Sequence, residues 1–237
     1  MTTLLTALAL VVLAACRTPE TPRDKPAPPP APADTVRVAV LGNSLAAGYG
    51  LARPSREAFP ALVQSACDSL GWPVRVVNHG VSGATTASGL ARLDAVLRDS
   101  VDVLVVELGG NDALRGLSPE AMRQNLVEIV RRTRTRYPEA RVVLAGLTLP
   151  PLAGGGPYLA AYRSLVDAYR RAFEVAATET GTAFVPSLLE GVAGVRSLNQ
   201  PDLVHPTAAG QQRLFENLWP VLRAQIEAAL KGAVHRA

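Results

Sequence analysis

Val101-Asp102-Val103-Leu104-Val105-Val106-Glu107-Leu108-Gly109-Gly110-Asn111-Asp112 is the stretch that decides the fold. From Val101 to Leu108 the run is nearly all apolar. That is the signature of a strand covered on both faces of a parallel sheet, where one-sided alternation is lost. It then breaks into the polar turn Gly109-Gly110-Asn111-Asp112. Arg141 to Leu147 repeats the apolar run, Val36 to Leu41 and Val74 to Val77 add two more strands, and Ala183 to Pro186 adds a weaker fifth. Helical stretches lie between them: Ala58 to Leu70, Thr85 to Leu97, Pro119 to Tyr137, Tyr158 to Thr180, and a last one from about Thr207 to Leu230. Ser118-Pro119-Glu120 is a helix start, with Ser as N-cap, Pro at the first helical position and an acid after it. Strands alternating with helices imply parallel pairing through crossovers. The expectation is an α/β fold, a three-layer α/β/α sandwich around a parallel sheet of about five strands. One domain, residues 35–231, carries it.

Hydrophobic residues make up 48% of the chain and aromatics only 5%, so the core must rest on Ala, Val and Leu. The net charge of +4 comes mostly from scattered Arg. Arg131, Arg132, Arg134 and Arg136 alternate with Val127, Ile129, Val130 and Tyr137 at helical spacing, which reads as a solvated face. No recognition motif accompanies the charge, so no nucleic-acid partner is expected. With three His and no ligand-spaced Cys/His cluster, no metal site is expected, and no cofactor motif appears. Gly154-Gly155-Gly156 reads as a flexible loop and residues 232–237 as a tail.

Residues 1–15 form an uncharged Leu/Ala/Val-rich run ending in Leu13-Ala14-Ala15-Cys16. A spanning helix needs about 20 apolar residues, so the run reads as an export signal instead. Leu-Ala-Ala-Cys resembles a bacterial lipobox, which implies Cys16 as a lipidated residue. Seven prolines between Arg17 and Ala33 then suit a semi-rigid tether over residues 16–34. The expected location is the bacterial cell envelope, exported and lipid-anchored. Cys67, in an apolar helical stretch, reads as a small buried hydrophobe.

Ligands of parallel α/β sheets bind beyond the carboxyl ends of the strands. Gly42-Asn43-Ser44 follows the first strand, His79 to Gly83 the second, and Gly109 to Asp112 the third. Gly42-Asn43-Ser44-Leu45 resembles the Gly-Asp-Ser-Leu block of the SGNH (GDSL-like) hydrolases. Val81-Ser82-Gly83, Glu107-Leu108-Gly109-Gly110-Asn111-Asp112 and Asp202-Leu203-Val204-His205-Pro206 are similar to its other blocks, in the same order. The bacterial arylesterase, thioesterase I and lysophospholipase branch matches best, through Glu107 to Arg115. The resemblance implies Ser44 as nucleophile and Asp202 and His205 as its partners. It also implies an oxyanion hole made of the Ser44 and Gly83 N–H groups and the Asn111 amide.

The residue chemistry supports each role. A Ser hydroxyl needs a base to take its proton. Pro206 keeps His205 out of helical geometry, and Asp202, three residues earlier, can fold back onto the other imidazole nitrogen. Gly83 lets backbone approach closely. Asn43 stands where the family has Asp, so the turn keeps one acceptor and loses a charge. Asp112 reads as an anchor for the Asn111 loop, Glu107 as a structural acceptor, and His79 as peripheral.

Leu114, Leu117 and Leu149 follow strands three and four and are expected to wall an apolar acyl groove. The expected activity is hydrolysis of carboxylic ester or thioester bonds in small acyl esters or lysolipids. Two other functions use the same fold: removal of O-acetyl groups from envelope glycans, which calls for an open polar cleft, and a catalytically silent envelope protein.

Overall fold

A computed structural model describes residues 35–147 and 157–234; Cys16, the flanking signal and tether, Leu149, Gly154 to Gly156 and His235 lie outside the described residues. Five parallel strands form one sheet in the order β2-β1-β3-β4-β5, with β1 Val36–Gly42, β2 Val74–Asn78, β3 Val103–Glu107, β4 Arg141–Ala145 and β5 Ala183–Val185. Every residue of β3 is buried, as its unbroken apolar run requires. Its register sets Val38 beside Val103 and Gly42 beside Glu107. From β1 the chain builds outward one way to β2 and the other way to β4 and β5. The crevice between β1 and β3 is therefore the point where the winding reverses, the usual ligand position in such sheets.

Helices cover both faces. α3 (Phe59–Ser69) and α9 (Ala208–Val234) pack together, and α7 (Pro119–Arg136) packs on α8 (Pro157–Thr180). One core runs through the sheet, built largely of Val, Leu and Ala with Phe59, Met122, Tyr169 and Phe173 as its larger members. The α7 start is as read from sequence: Ser118 caps the helix by accepting from the Ala121 N–H at 3.3 Å.

Two helices depart from expectation. Thr85 to Leu97 is not one helix but α4 (Thr86–Ala91) and α5 (Leu93–Val96), with Arg92 at the break. The last helix continues beyond Leu230 to Val234, into the expected tail. Cys67 is buried and free, and burial pushes its thiol up to about 11. Among the described residues no helix is long and apolar enough to cross a membrane.

Candidate active site

β1 ends at Gly42, and the chain turns through Asn43 into the one-turn helix α1 (Ser44–Ala47). The turn is too tight for a side chain at 42. A Cβ there would stand 2.4 Å from the Ala46 Cβ and 2.9 Å from Glu107 Oε2. Asn43 caps α1, its Oδ1 accepting from the Leu45 N–H at 2.9 Å. Glu107 Oε2 accepts from the N–H groups of Asn43 (3.0 Å) and Ala46 (3.3 Å). The Ala47 N–H donates to the Asn43 carbonyl. Between Asn43 and Ala47, only the Ser44 N–H has no acceptor among the described residues.

Partners from distant parts of the chain hold this turn. Arg92 donates to the Gly42 carbonyl at 2.8 Å and to the His79 carbonyl at 2.6 Å. Arg92 is also the residue at which α4 gives way to α5. The Asn78 amide donates to the Ala46 carbonyl at 2.7 Å, and Gln211 donates to the Leu45 carbonyl at 3.0 Å.

His205 sits on a loop closed by an antiparallel bridge between Asn199 and Pro206. Leu203, with φ 58, takes the left-handed twist that returns the chain on itself. Asp202 Oδ1 accepts from the N–H groups of Val204 and His205, both at 3.0 Å, and its Oδ2 lies 2.7 Å from His205 Nδ1. The imidazole's hydrogen bond, with the two N–H bonds behind it, holds the Asp202 carboxyl at about 2. On the opposite side of the ring, His205 Nε2 lies 3.0 Å from Ser44 Oγ. The Tyr49 ring lies against the imidazole, centroids 4.5 Å apart. Gln200 ties the two halves together by donating to the carbonyls of Tyr49 (2.7 Å) and Pro206 (3.1 Å).

Ser44 and His205 open into a cleft of about 500 Å³, which Ser82, Gly83 and Asn111 also line. Asn111 donates one amide hydrogen to the Ala84 carbonyl at 3.0 Å, and an NH₂ group has a second to offer. Gly83 has φ 78, a conformation that suits glycine, and its carbonyl accepts from Arg115 at 2.9 Å. Asp112 is buried and accepts from the Thr86 N–H (2.9 Å) and hydroxyl (2.6 Å), which anchors the Asn111 turn to α4. Glu107 is likewise a buried acceptor. Burial pushes its carboxyl up to about 8, against the pull of its two N–H partners and of the Asn43 side chain.

Leu114 lines the cleft and is 64% exposed. Leu117, expected beside it, does not line it. The Leu117 N–H bonds back to the Asp112 carbonyl and its own carbonyl accepts the Tyr169 hydroxyl, so the turn carries it away. The apolar wall comes instead from residues that the sequence did not single out, among them Tyr49, Leu147, Leu189 and Leu203. Leu203 was visible, since it lies inside the Asp202-to-Pro206 block. Leu189 carried no signal. His79 does not line the cleft. Among the described residues no group of three or more His, Cys, Asp and Glu is placed to hold a metal ion.

This geometry has the parts for nucleophilic acyl transfer: a hydroxyl on a base, an ionised carboxylate behind the base, and free N–H donors beside the hydroxyl. Comparison with known proteins agrees. Residues 40–213 match the GDSL-like Lipase/Acylhydrolase family. Esterase TesA of Pseudomonas aeruginosa is 42% identical over 185 residues, covering 78% of this chain and 86% of that protein. Thioesterase 1/protease 1/lysophospholipase L1 of Escherichia coli is 34% identical over 182 residues, covering 76% of this chain and 79% of that protein. A crystal structure of TesA superposes with a TM-score of 0.72 at 38% identity, over 80% of this chain and 99% of the other. The chain belongs to the GDSL-like lipase/acylhydrolase family and is a serine hydrolase acting on ester bonds.

Proposed function

We propose that the protein hydrolyses acyl esters and thioesters, lysolipids among them, through an acyl-enzyme on Ser44. One observation carries this: the unbroken relay from Asp202 through His205 to Ser44 Oγ, at 2.7 and 3.0 Å, opening into a largely apolar cleft. Ser44 Oγ attacks the carbonyl carbon while Nε2 of His205 takes its proton. Asp202 stays ionised and stabilises the imidazolium. The carbonyl oxygen, now negative, receives the N–H groups of Ser44 and Gly83 and the spare amide hydrogen of Asn111. Collapse breaks the bond to the alcohol or thiol, which leaves with the proton from Nε2. Water, deprotonated by the same nitrogen, then releases the acid and frees Ser44.

The cleft lining supports an acyl chain over an O-acetylated glycan as substrate. Tyr49, Leu114, Leu203 and Val204 line it and are exposed, and an apolar patch at a cleft mouth marks a binding surface. The names of the relatives, an esterase and a thioesterase with lysophospholipase activity, point the same way.

Turnover of p-nitrophenyl esters of increasing chain length and of lysophosphatidylcholine tests the assignment. Ser44→Ala is expected to lower kcat by about 10⁴-fold or more on every substrate. Turnover that survives this change would remove Ser44 from the mechanism, and a preference for acetylated glycans over longer acyl chains would favour the glycan substrate.

We also propose that the chain is exported to the bacterial cell envelope and anchored by a lipid on Cys16, on the strength of the apolar run, the Leu-Ala-Ala-Cys motif and the Pro-rich segment. Metabolic labelling with a fatty acid should mark the wild type and not Cys16→Ser. Equal labelling of both would exclude the anchor.

A further inference from the structure

Glu107 is an anomaly in its strand. Its neighbours in β3 are Val103, Leu104, Val105 and Val106, and its own carboxyl is wholly buried, 0% exposed. The register of the sheet seats it beside Gly42, directly under the turn that carries Ser44. One oxygen takes the N–H groups of Asn43 and Ala46, which flank the Ser44–Leu45 pair, while the other, Oε1, has no partner.

The charged and titratable groups around it bond to other partners. Arg92 gives its two terminal guanidinium nitrogens to the His79 and Gly42 carbonyls and its buried Nε has no partner, Asp112 is held by Thr86, and His205 is engaged by Asp202 and Ser44. None of them donates to Oε1. The residue above it is Asn43, so the pocket holds no second carboxylate at that position.

We propose that Glu107 is a positioning residue that works as an uncharged carboxylic acid, clamping the two N–H groups beside Ser44 so that the Ser44 N–H alone is left to face the oxyanion. This rests on Ser44 being the nucleophile. A neutral carboxyl suits the site for two reasons. Its carbonyl oxygen accepts both N–H bonds without needing a counter-ion, whereas a buried charge without a partner is strongly disfavoured. A carboxylate in this position would also set a negative charge beneath the developing oxyanion and oppose it. Burial in this pocket raises the carboxyl to about 8, which keeps it protonated at neutral pH. Ionisation on the alkaline side is then inhibitory. The wild-type kcat should fall as pH rises through about 8.

The test uses Glu107→Gln and Glu107→Ala in the full chain, with p-nitrophenyl butyrate as substrate. Gln keeps an acceptor oxygen for both N–H groups and cannot ionise. It should hold kcat within about threefold of wild type at pH 7 and remove the alkaline fall near pH 8. Ala leaves both N–H groups without an acceptor, and kcat should drop by about 10²-fold at little-changed KM. If Ala does not fold, the Gln profile decides alone.

An infrared spectrum gives a readout independent of turnover. At pH 7, a protonated-carboxyl band should be present in wild type and in Ser44→Ala, and absent from Glu107→Gln. Ser44→Ala keeping this band while losing activity, or the reverse, separates a failure of this proposal from a failure of the nucleophile assignment. A Gln variant that keeps the alkaline fall, a Gln variant as impaired as Ala, or a missing band would each overturn the proposal.

Discussion

The two halves of the active site are held in opposite ways. The turn carrying Ser44 is buried, and bonds from Asn78, Arg92, Glu107 and Gln211, all far away in the chain, fix it to the sheet. The loop carrying Asp202 and His205 is largely exposed and is fixed by itself, through the Asn199–Pro206 bridge and the fold-back of Asp202 onto Val204 and His205. Besides the Ser44–His205 contact itself, Gln200 and the Tyr49 ring join the halves. The turn that carries Ser44 is therefore part of the core, and damage to it should reach stability. The base loop is an attachment to the core, and damage to it should reach activity alone.

The sharpest way to break this contrast is Asp202→Asn. Loss of the carboxylate behind a catalytic imidazole typically costs about 10⁴-fold in kcat, while the melting temperature, measured by calorimetry, should move little because the residue is exposed. A large fall in stability would show that the base loop is welded to the core after all. Asn111→Ala, on the oxyanion side, should lower kcat by about 10²–10³-fold at little-changed KM. Gln200→Ala cuts the tie between the halves. It should cost about tenfold in kcat by loosening the Ser44–His205 distance, again with little change in melting temperature.

Gly42→Ala probes the opposite half. Overpacking a well-filled site costs about 1–3 kcal/mol, so this variant should lose several degrees of melting temperature together with activity. A further contrast is a pH dependence of stability. A carboxyl whose folded value lies near 8, above its unfolded value of 4.5, stabilises the fold fully below pH 4.5 and loses that contribution as pH rises through about 8. Wild type should lose more melting temperature than Glu107→Gln between pH 5 and pH 8.

The layers of the fold were legible because the signal is local. A short β-branched run such as Val103 to Val106, bounded by a Gly-rich turn, reads as a strand with both faces covered, and all five strands lie within two residues of where the pattern puts them. The site was legible in its blocks, since each falls just beyond a strand. What escaped depends on contacts distant in sequence. Nothing around Arg92 announces that its guanidinium will bond two carbonyls of the Ser44 side of the site, or that the helix will break there. Leu117 follows Leu114 at helical spacing, yet the backbone bond to Asp112 turns it out of the cleft. Leu189 reaches the cleft from the segment after β5, which no periodicity places there. Glu107 was readable as a structural acceptor from its position at a strand end, but its partners at Asn43 and Ala46 were not.

The one uncommitted N–H in the Ser44 turn has a consequence for exchange with heavy water. Amide hydrogens of Asn43, Leu45, Ala46 and Ala47 are each bonded within the protein and should exchange slowly, with openings that approach global unfolding. The Ser44 amide, facing the cleft, should exchange orders of magnitude faster in the free enzyme. A protection map would show a notch one residue wide in an otherwise rigid stretch, and a phosphonate bound covalently to Ser44 should fill it.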